Sequence, residues 1–312
     1  MPSRQTGGES GGPHWRASRE RGSRMALRLI MWLALHIGRP LCRVLLVPIS
    51  AYFLLTSPLA RHSSRDFLGR ARGRPAGWHH VLRHLHVFAT TLLDRVYLIH
   101  ERADELQVQV SNQDVLEEAL RAGRGCLLMG SHLGSFELLG ILGSRDRQLK
   151  LNVVMHGDQQ SQMRELLFRR GRLLPYQVIA LGEAGSMLRV KECLERGEVV
   201  GMLADRVYGD EPTASLPFLG DDARFSLSPW RLARITGASV VTIYGLFHGG
   251  RRYEIVFDRL SPAASATTLD QVNNGRAPTP DLDMLRAYVG GLESQARRLP
   301  YNWFNFYAYW NV

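Results

Sequence analysis

Between residues 106 and 260, short apolar runs alternate with longer amphipathic ones, and this alternation constrains the fold more than any other feature. The runs "LQVQV", "GCLLMG", "LKLNVVM", "YQVIAL", "EVVGMLA", "SVVTIYGLF" and "RYEIVFDRL" read as strands, several of them apolar on both faces. Among them, "QDVLEEALRAG", "LGSFELLGIL", "QSQMRELLFRRG", "AGSMLRVKECLERG" and "SPWRLARITG" carry helical spacing. Strands that are apolar on both faces need cover on both, and interleaved helices supply it by crossing over. The chain is therefore expected to be α/β, a single domain with a mainly parallel central sheet of about seven strands flanked by helices. A polar loop over 261–280 and a last helix before Pro300 complete this reading, and no internal repeat is visible.

Ahead of this region the texture differs. Residues 1–24, dominated by Gly, Ser and Arg, are predicted to form a disordered basic arm. Residues 25–60 are predicted to be a hydrophobic membrane anchor, because Arg39 and Arg43 are the only formal charges between Leu29 and Ala60. Its most apolar part, "VLLVPISAYFLLTSPLA", is interrupted by Pro48 and Pro58. An unbroken span needs about 20 apolar residues, so a broken or in-plane anchor competes with a transmembrane helix. A helical hairpin buried in the core is the alternative. Residues 61–312 would then form the α/β domain.

The charge distribution adds to this picture. Residues 1–103 hold 16 Arg against 5 acidic residues, whereas the remaining 209 residues are nearly neutral within a total net charge of +10. Basic charge beside the most apolar segment fits an anionic membrane surface, and nucleic acid is not an expected partner. No cleavable signal peptide is recognisable. Cys42, Cys126 and Cys193 are odd in number and scattered, so neither a disulfide framework nor a zinc site is expected, and a reducing cytosolic setting fits. The helix-like stretch "WHHVLRHLHVFATTLLDRVYLI" holds His79, His80, His84 and His86 without a Cys, Asp or Glu among them, so no metal site is expected there either.

In open α/β sheets, sites gather at the carboxyl ends of the strands. Three strand-like runs end on reactive groups here: one at His132, one at His156, and one at Asp205 and Arg206. The first lies in "MGSHLGSFELLG", where His132 and Glu137 are five positions apart. Residues five apart in a continuous helix point about 140° from each other. They meet only if His132 stays in the turn and the helix starts near Gly134 or Ser135. Glu137 would then accept from one imidazole nitrogen and leave the other to take a proton, the base-and-orienter pair of acyl transfer. The plain alternative is a satisfied histidine at a helix start with a surface glutamate.

An ordered set of motifs carries this further. His132-Leu-Gly-Ser-Phe-Glu137 has the form H-x4-[DE], Gly171-Arg172 follows after the next strand and helix, and "GEVVGMLADRVYG" places Asp205 at a strand end. With "SLPFLGDDARFSLSPWRLARITGASVV" downstream, the chain from about Met25 onward resembles the lysophospholipid acyltransferase superfamily, on the branch of the bacterial lipid A lauroyl and myristoyl acyltransferases. The resemblance implies an anchored α/β enzyme on the cytoplasmic face of the bacterial inner membrane. It implies transfer of a fatty acyl group from a thioester, on acyl carrier protein or coenzyme A, to a hydroxyl or amine of a lipid or glycolipid.

In that reading His132 is the general base and Glu137 orients it. Arg172 is the first side chain to consider for the oxyanion or an acceptor phosphate, with backbone N–H groups of the turn as further oxyanion donors. Asp205 gives structural support or binds acceptor, and Arg206 is a second acceptor-binding candidate. His156 has no matching role. No metal or organic cofactor is needed, because the thioester carries the activation. The ending "YNWFNFYAYW" departs from the basic-aromatic ending of the lauroyl enzymes and leaves the acceptor open. Its aromatic residues are expected to form an acyl pocket, an interfacial belt or a hydrophobic closing strand. Two rivals remain. A membrane-associated lipid hydrolase would need a Gly-x-Ser-x-Gly elbow, and the match "GESGG" sits in the polar arm. A non-catalytic lipid-binding protein of the same fold would be expected to have lost His132 or Glu137.

Overall fold

The computed structural model describes residues 36, 38–99, 103–140, 149–156, 176–183, 185–260 and 280–310. The basic arm, the start of the predicted anchor, "QSQMRELLFRRG", Arg172 and the polar loop after residue 260 lie outside them. Three helices come first, α1 (Arg39–Thr56), α2 (Pro58–Arg72) and α3 (Trp78–Ile99). The chain continues through β1 (Gln107–Ser111), α4 (Gln113–Arg121), β2 (Cys126–Gly130), β3 (Leu151–His156) and β4 (Gln177–Leu181). Then follow α5 (Ser186–Glu195), β5 (Val199–Leu203), β6 (Thr213–Phe218), β7 (Asp221–Ser226) and α6 (Ser228–Thr236). Strands β8 (Ser239–Gly249) and β9 (Arg252–Arg259) and helix α7 (Pro280–Arg298) complete it.

Seven strands form one sheet in the order β1-β9-β8-β2-β5-β3-β4. The five from β8 to β4 are mutually parallel, while β9 runs antiparallel to β8 and β1 runs parallel to β9. The result is the mainly parallel α/β domain expected. Position in the sheet accounts for sequence character. β2, flanked by β8 and β5, is buried at all five residues, whereas β1 at the edge alternates glutamine with valine and is only partly covered.

Two elements differ from expectation. Between β5 and α6, where no strand is expected, the chain forms a hairpin, β6–β7, turning through Leu219 and Gly220 at φ 54 and 91. Tight hairpin turns require positive φ, but leucine carries no sequence sign of it. The helix expected over "LGSFELLGIL" begins as a 3₁₀ turn, Phe136–Leu138, and passes into α-helix at Leu139 and Gly140, while residues 141–148 lie outside the described ones.

Helix α1 runs through Pro48 without breaking, and the chain turns only at Ser57 and Pro58. One face packs antiparallel along α3. Cys42 and Leu46 meet Leu93 and Tyr97 at one end, and Leu54 meets Val81 and Leu85 at the other. Arg39 anchors this face through two 2.6 Å bonds to buried Asp94, which also accepts from Tyr253 of β9 at 2.6 Å. The opposite face leaves Leu41, Val44, Val47, Tyr52 and Leu55 exposed. Instead of a hairpin sunk in the core, α1 is a half-docked helix with an apolar outer face. By length and composition it is able to cross a membrane.

Candidate active site

The site follows from the register of β2 and β5. These neighbouring parallel strands pair Gly130 with Leu203 at their carboxyl ends, and the Ala204 N–H continues to the Gly130 carbonyl at 3.0 Å. Two residues past that pair on each chain stand His132 and Asp205. Nδ1 of His132 is 2.8 Å from Oδ1 of Asp205, and the backbone N–H of His132 donates to Oδ2 at 2.9 Å. The His132 side chain is 16% exposed and that of Asp205 1%, so the imidazole lines the surface of the site while the carboxylate lies behind it.

Glu137 is engaged elsewhere. Its carboxylate pairs with Arg95 of α3 at 2.7 Å and accepts from the Ser135 hydroxyl at 3.0 Å. The bond to one imidazole nitrogen expected from Glu137 is made instead by Asp205, at Nδ1. The reason is geometric: the 3₁₀ turn aims Glu137 at α3, whereas strand pairing brings Asp205 level with His132. Asp205, expected to give structural support or to bind acceptor, is enclosed by donors, an arrangement that fits the first of these roles.

Electrostatics fit a base held neutral. Burial is the largest effect lowering the pKa of His132, the nearby Arg206 guanidinium adds to it, and Asp205 and Glu137 oppose it less strongly. For Asp205, burial works against ionisation, but His132, Arg206 and a hydrogen bond from the Trp303 indole together hold its carboxyl below the usual range. An ionised Asp205 makes Nδ1 the protonated nitrogen and leaves the Nε2 lone pair as the basic position. Arg206 donates to the Phe304 carbonyl at 3.2 Å and lies over the Tyr307 ring at 5.3 Å, beside the pair.

The turn that carries His132 is fastened on every side. Gly134 N–H donates to the Asn302 carbonyl at 2.7 Å, Ser135 N–H to the Gly245 carbonyl at 2.8 Å, and Leu133 N–H to the Ser131 hydroxyl at 3.3 Å. Gly134 has φ 82, and any side chain there would overlap the Gly245 carbonyl of β8. With the His132 N–H on Asp205, every backbone donor from His132 to Ser135 is taken. None of these four N–H groups is left for an oxyanion.

The described C-terminal residues, 301–310, form no closing strand. They run as an irregular segment over the site, where Phe304 N–H meets the His132 carbonyl at 2.9 Å and the Tyr309 hydroxyl meets the Asp205 carbonyl at 2.7 Å. Asn302 clamps Phe247 of β8 by accepting from its N–H at 2.7 Å and donating to its carbonyl at 3.1 Å. Two amides inside an aromatic run were the sequence sign of this buried anchor. Arg95 was likewise missed, though it and Asp94 are the lone charges in the apolar second half of α3.

His156 ends β3 on the same sheet edge. No group of three metal-binding side chains occurs among the described residues. His84 bridges the Ser64 hydroxyl at 2.8 Å and the Trp303 carbonyl at 2.9 Å, and His80 meets the Tyr301 hydroxyl at 2.7 Å. Cys42, Cys126 and Cys193 are free and buried. Residues 82–276 match the family model described as bacterial lipid A biosynthesis acyltransferase. No curated protein matches the chain.

Proposed function

The chain belongs to the bacterial lipid A biosynthesis acyltransferases, a family that transfers acyl groups to lipid, and from that premise we propose that His132 and Asp205 form its catalytic pair. Nε2 of His132 takes the proton from a hydroxyl or amine of the acceptor as that atom attacks the thioester carbonyl. The new C–O or C–N bond forms, the tetrahedral oxyanion collapses, the C–S bond breaks, and the imidazolium returns its proton to the leaving thiolate. Asp205 keeps Nδ1 protonated and stabilises the imidazolium. The observation that carries this reading is the 2.8 Å bond between Nδ1 and the buried Asp205 carboxylate at the ends of two adjacent parallel strands.

Glu137 acts at longer range. Its negative field favours the imidazolium that forms during transfer, and its ion pair holds Arg95 at the site's edge. With the turn's N–H groups occupied, the oxyanion or an acceptor phosphate falls to an arginine. Arg206 stands beside the pair, and Arg172 keeps the role that the family motif implies for it. The donor is an acyl thioester, with acyl carrier protein preferred over coenzyme A, and the acceptor is a lipid or glycolipid. The exposed face of α1 contacts the bilayer on the cytoplasmic side of the inner membrane, with residues 61–312 as the acyltransferase domain. Since α3 covers one side of α1, the helix is embedded alongside the domain.

The test is acyl transfer in detergent-solubilised membranes, from radiolabelled acyl carrier protein to total lipid. Wild type is expected to label one lipid, and His132→Ala to lose about 10²–10⁴ of the rate. Free fatty acid as the sole His132-dependent product would replace the transferase reading with a hydrolase.

A further inference from the structure

We propose that Trp303 is a positioning residue for the catalytic pair, its indole N–H fixing the carboxylate of Asp205 so that the carboxylate fixes the imidazole of His132. This rests on the His132–Asp205 reading above, but it concerns a residue outside the stretch that matches the family, which ends at residue 276. Nε1 of Trp303 lies 3.0 Å from Oδ2 of Asp205, the oxygen that also takes the His132 N–H, while Oδ1 takes Nδ1. Three donors from two directions hold one buried carboxylate, and rotating it would break all three bonds.

The indole is held rigidly enough to serve. Trp303 is 1% exposed, its ring centroid lies 4.9 Å from those of Phe67 and Tyr309 and 5.3 Å from that of Phe218, and it forms a backbone bridge with Leu133. Its carbonyl accepts from His84 of α3, so the segment is fastened from behind as well. Chemistry favours tryptophan over an equally large apolar ring. An indole nitrogen donates and cannot accept, so it stabilises the ionised carboxylate against the neutral acid. An ionised Asp205 can only accept, and that fixes which imidazole nitrogen carries the proton. Phenylalanine would fill part of the space and leave the buried Oδ2 with one donor.

The experiment uses the full chain in detergent micelles with ¹⁵N- and ¹³C-labelled histidine, the His132 signals being assigned by their absence in His132→Ala. In Trp303→Phe, Asp205 has more charge to share with the imidazolium, so the His132 titration is expected to move upward and its tautomer to lose definition. With acyl carrier protein thioester as donor, kcat is expected to fall about tenfold with KM unchanged. Trp303→benzothienylalanine, which keeps the ring shape and lacks only the N–H, should reproduce both effects and answers the case in which phenylalanine fails to fold. Trp310→Phe removes an indole bond of the same kind, 3.0 Å to the Phe218 carbonyl, from a ring that packs against Trp303 but bonds neither member of the pair. It should lower Tm and leave the His132 titration in place.

An unmoved His132 titration in both Trp303 variants overturns the proposal and reduces Trp303 to packing. The titration needs no turnover, so it decides the question even if the wild type transfers no acyl group and the transferase reading itself fails.

Discussion

At His132 two opposing effects meet, and their balance sets when the side chain can work. Burial and Arg206 favour the neutral ring, whereas Asp205 and Glu137 favour the cation, and the first two prevail. A general base must be neutral before it takes a proton, so kcat/KM should fall only as pH drops through a pKa below 6.5. A pH–rate profile checks this, and an acid limb centred above 7 would contradict it. Asp205→Asn sharpens the test. Its amide can present an N–H to Nδ1 and turn the ring's proton onto Nε2, so kcat should drop by about 10²–10⁴ with little change in KM. Glu137→Gln leaves that bond intact and should cost far less. Of this pair the sequence shows His132 and its motif partner directly, but not that the bonded carboxylate lies 73 positions away.

At the scale of the element, α3 joins α1 to the site. Its inner face packs α1, Asp94 fastens Arg39 and Tyr253, Arg95 holds Glu137, and His84 ties Ser64 of α2 to the C-terminal segment. His84 is wholly buried and its pKa is depressed by burial to about 4, from 6.5. In the unfolded chain it binds a proton as pH falls below 6.5, and in the folded chain only near 4. Its contribution is therefore full above 6.5, declines between 6.5 and 4, and levels off below. The loss across that window is about 3 kcal/mol. Denaturant melts at stepped pH should show the decline, and His84→Gln should flatten it in part, since His132 titrates in the same direction. The length and period of α3 are plain in the sequence, because one apolar face repeats through 22 residues. The histidine partners are not, since Ser64 and Trp303 are distant in the chain.

For the molecule as a whole, α1, the helix that carries the apolar outer face, is linked to the site edge of the sheet through α3. Leu55 is 76% exposed and Val44 63%, both on the side of α1 away from α3. Burying such a side chain in hydrocarbon is worth about 1.5–3 kcal/mol. The double substitution of Val44→Asp and Leu55→Asp should weaken binding to vesicles containing anionic lipid by more than tenfold. Tm in detergent should stay the same, because neither residue packs inward. Vesicle co-sedimentation with a parallel melt checks this, and unchanged sedimentation would assign α1 to another role.

The sequence by itself determined the strands of the main sheet, the helices that cover it and the edge where the reactive groups gather. Those are local properties: a strand apolar on both faces, as in "CLLMG", or a helix apolar on one, can be read wherever side-chain period matches backbone geometry. It also showed His132, Glu137, Asp205 and Arg206 as the residues to watch. Only the tertiary structure decided how they pair. β2 and β5 are neighbours although β3 and β4 lie between them in the chain, and that register, Gly130 against Leu203, carries His132 to Asp205. The same holds for the aromatic ending, whose composition fits a pocket, a belt or a strand equally well. Its role as a clamp follows from where Asn302, Trp303 and Phe304 meet β8, Asp205 and His132, and contacts between segments so far apart leave no periodic trace in either.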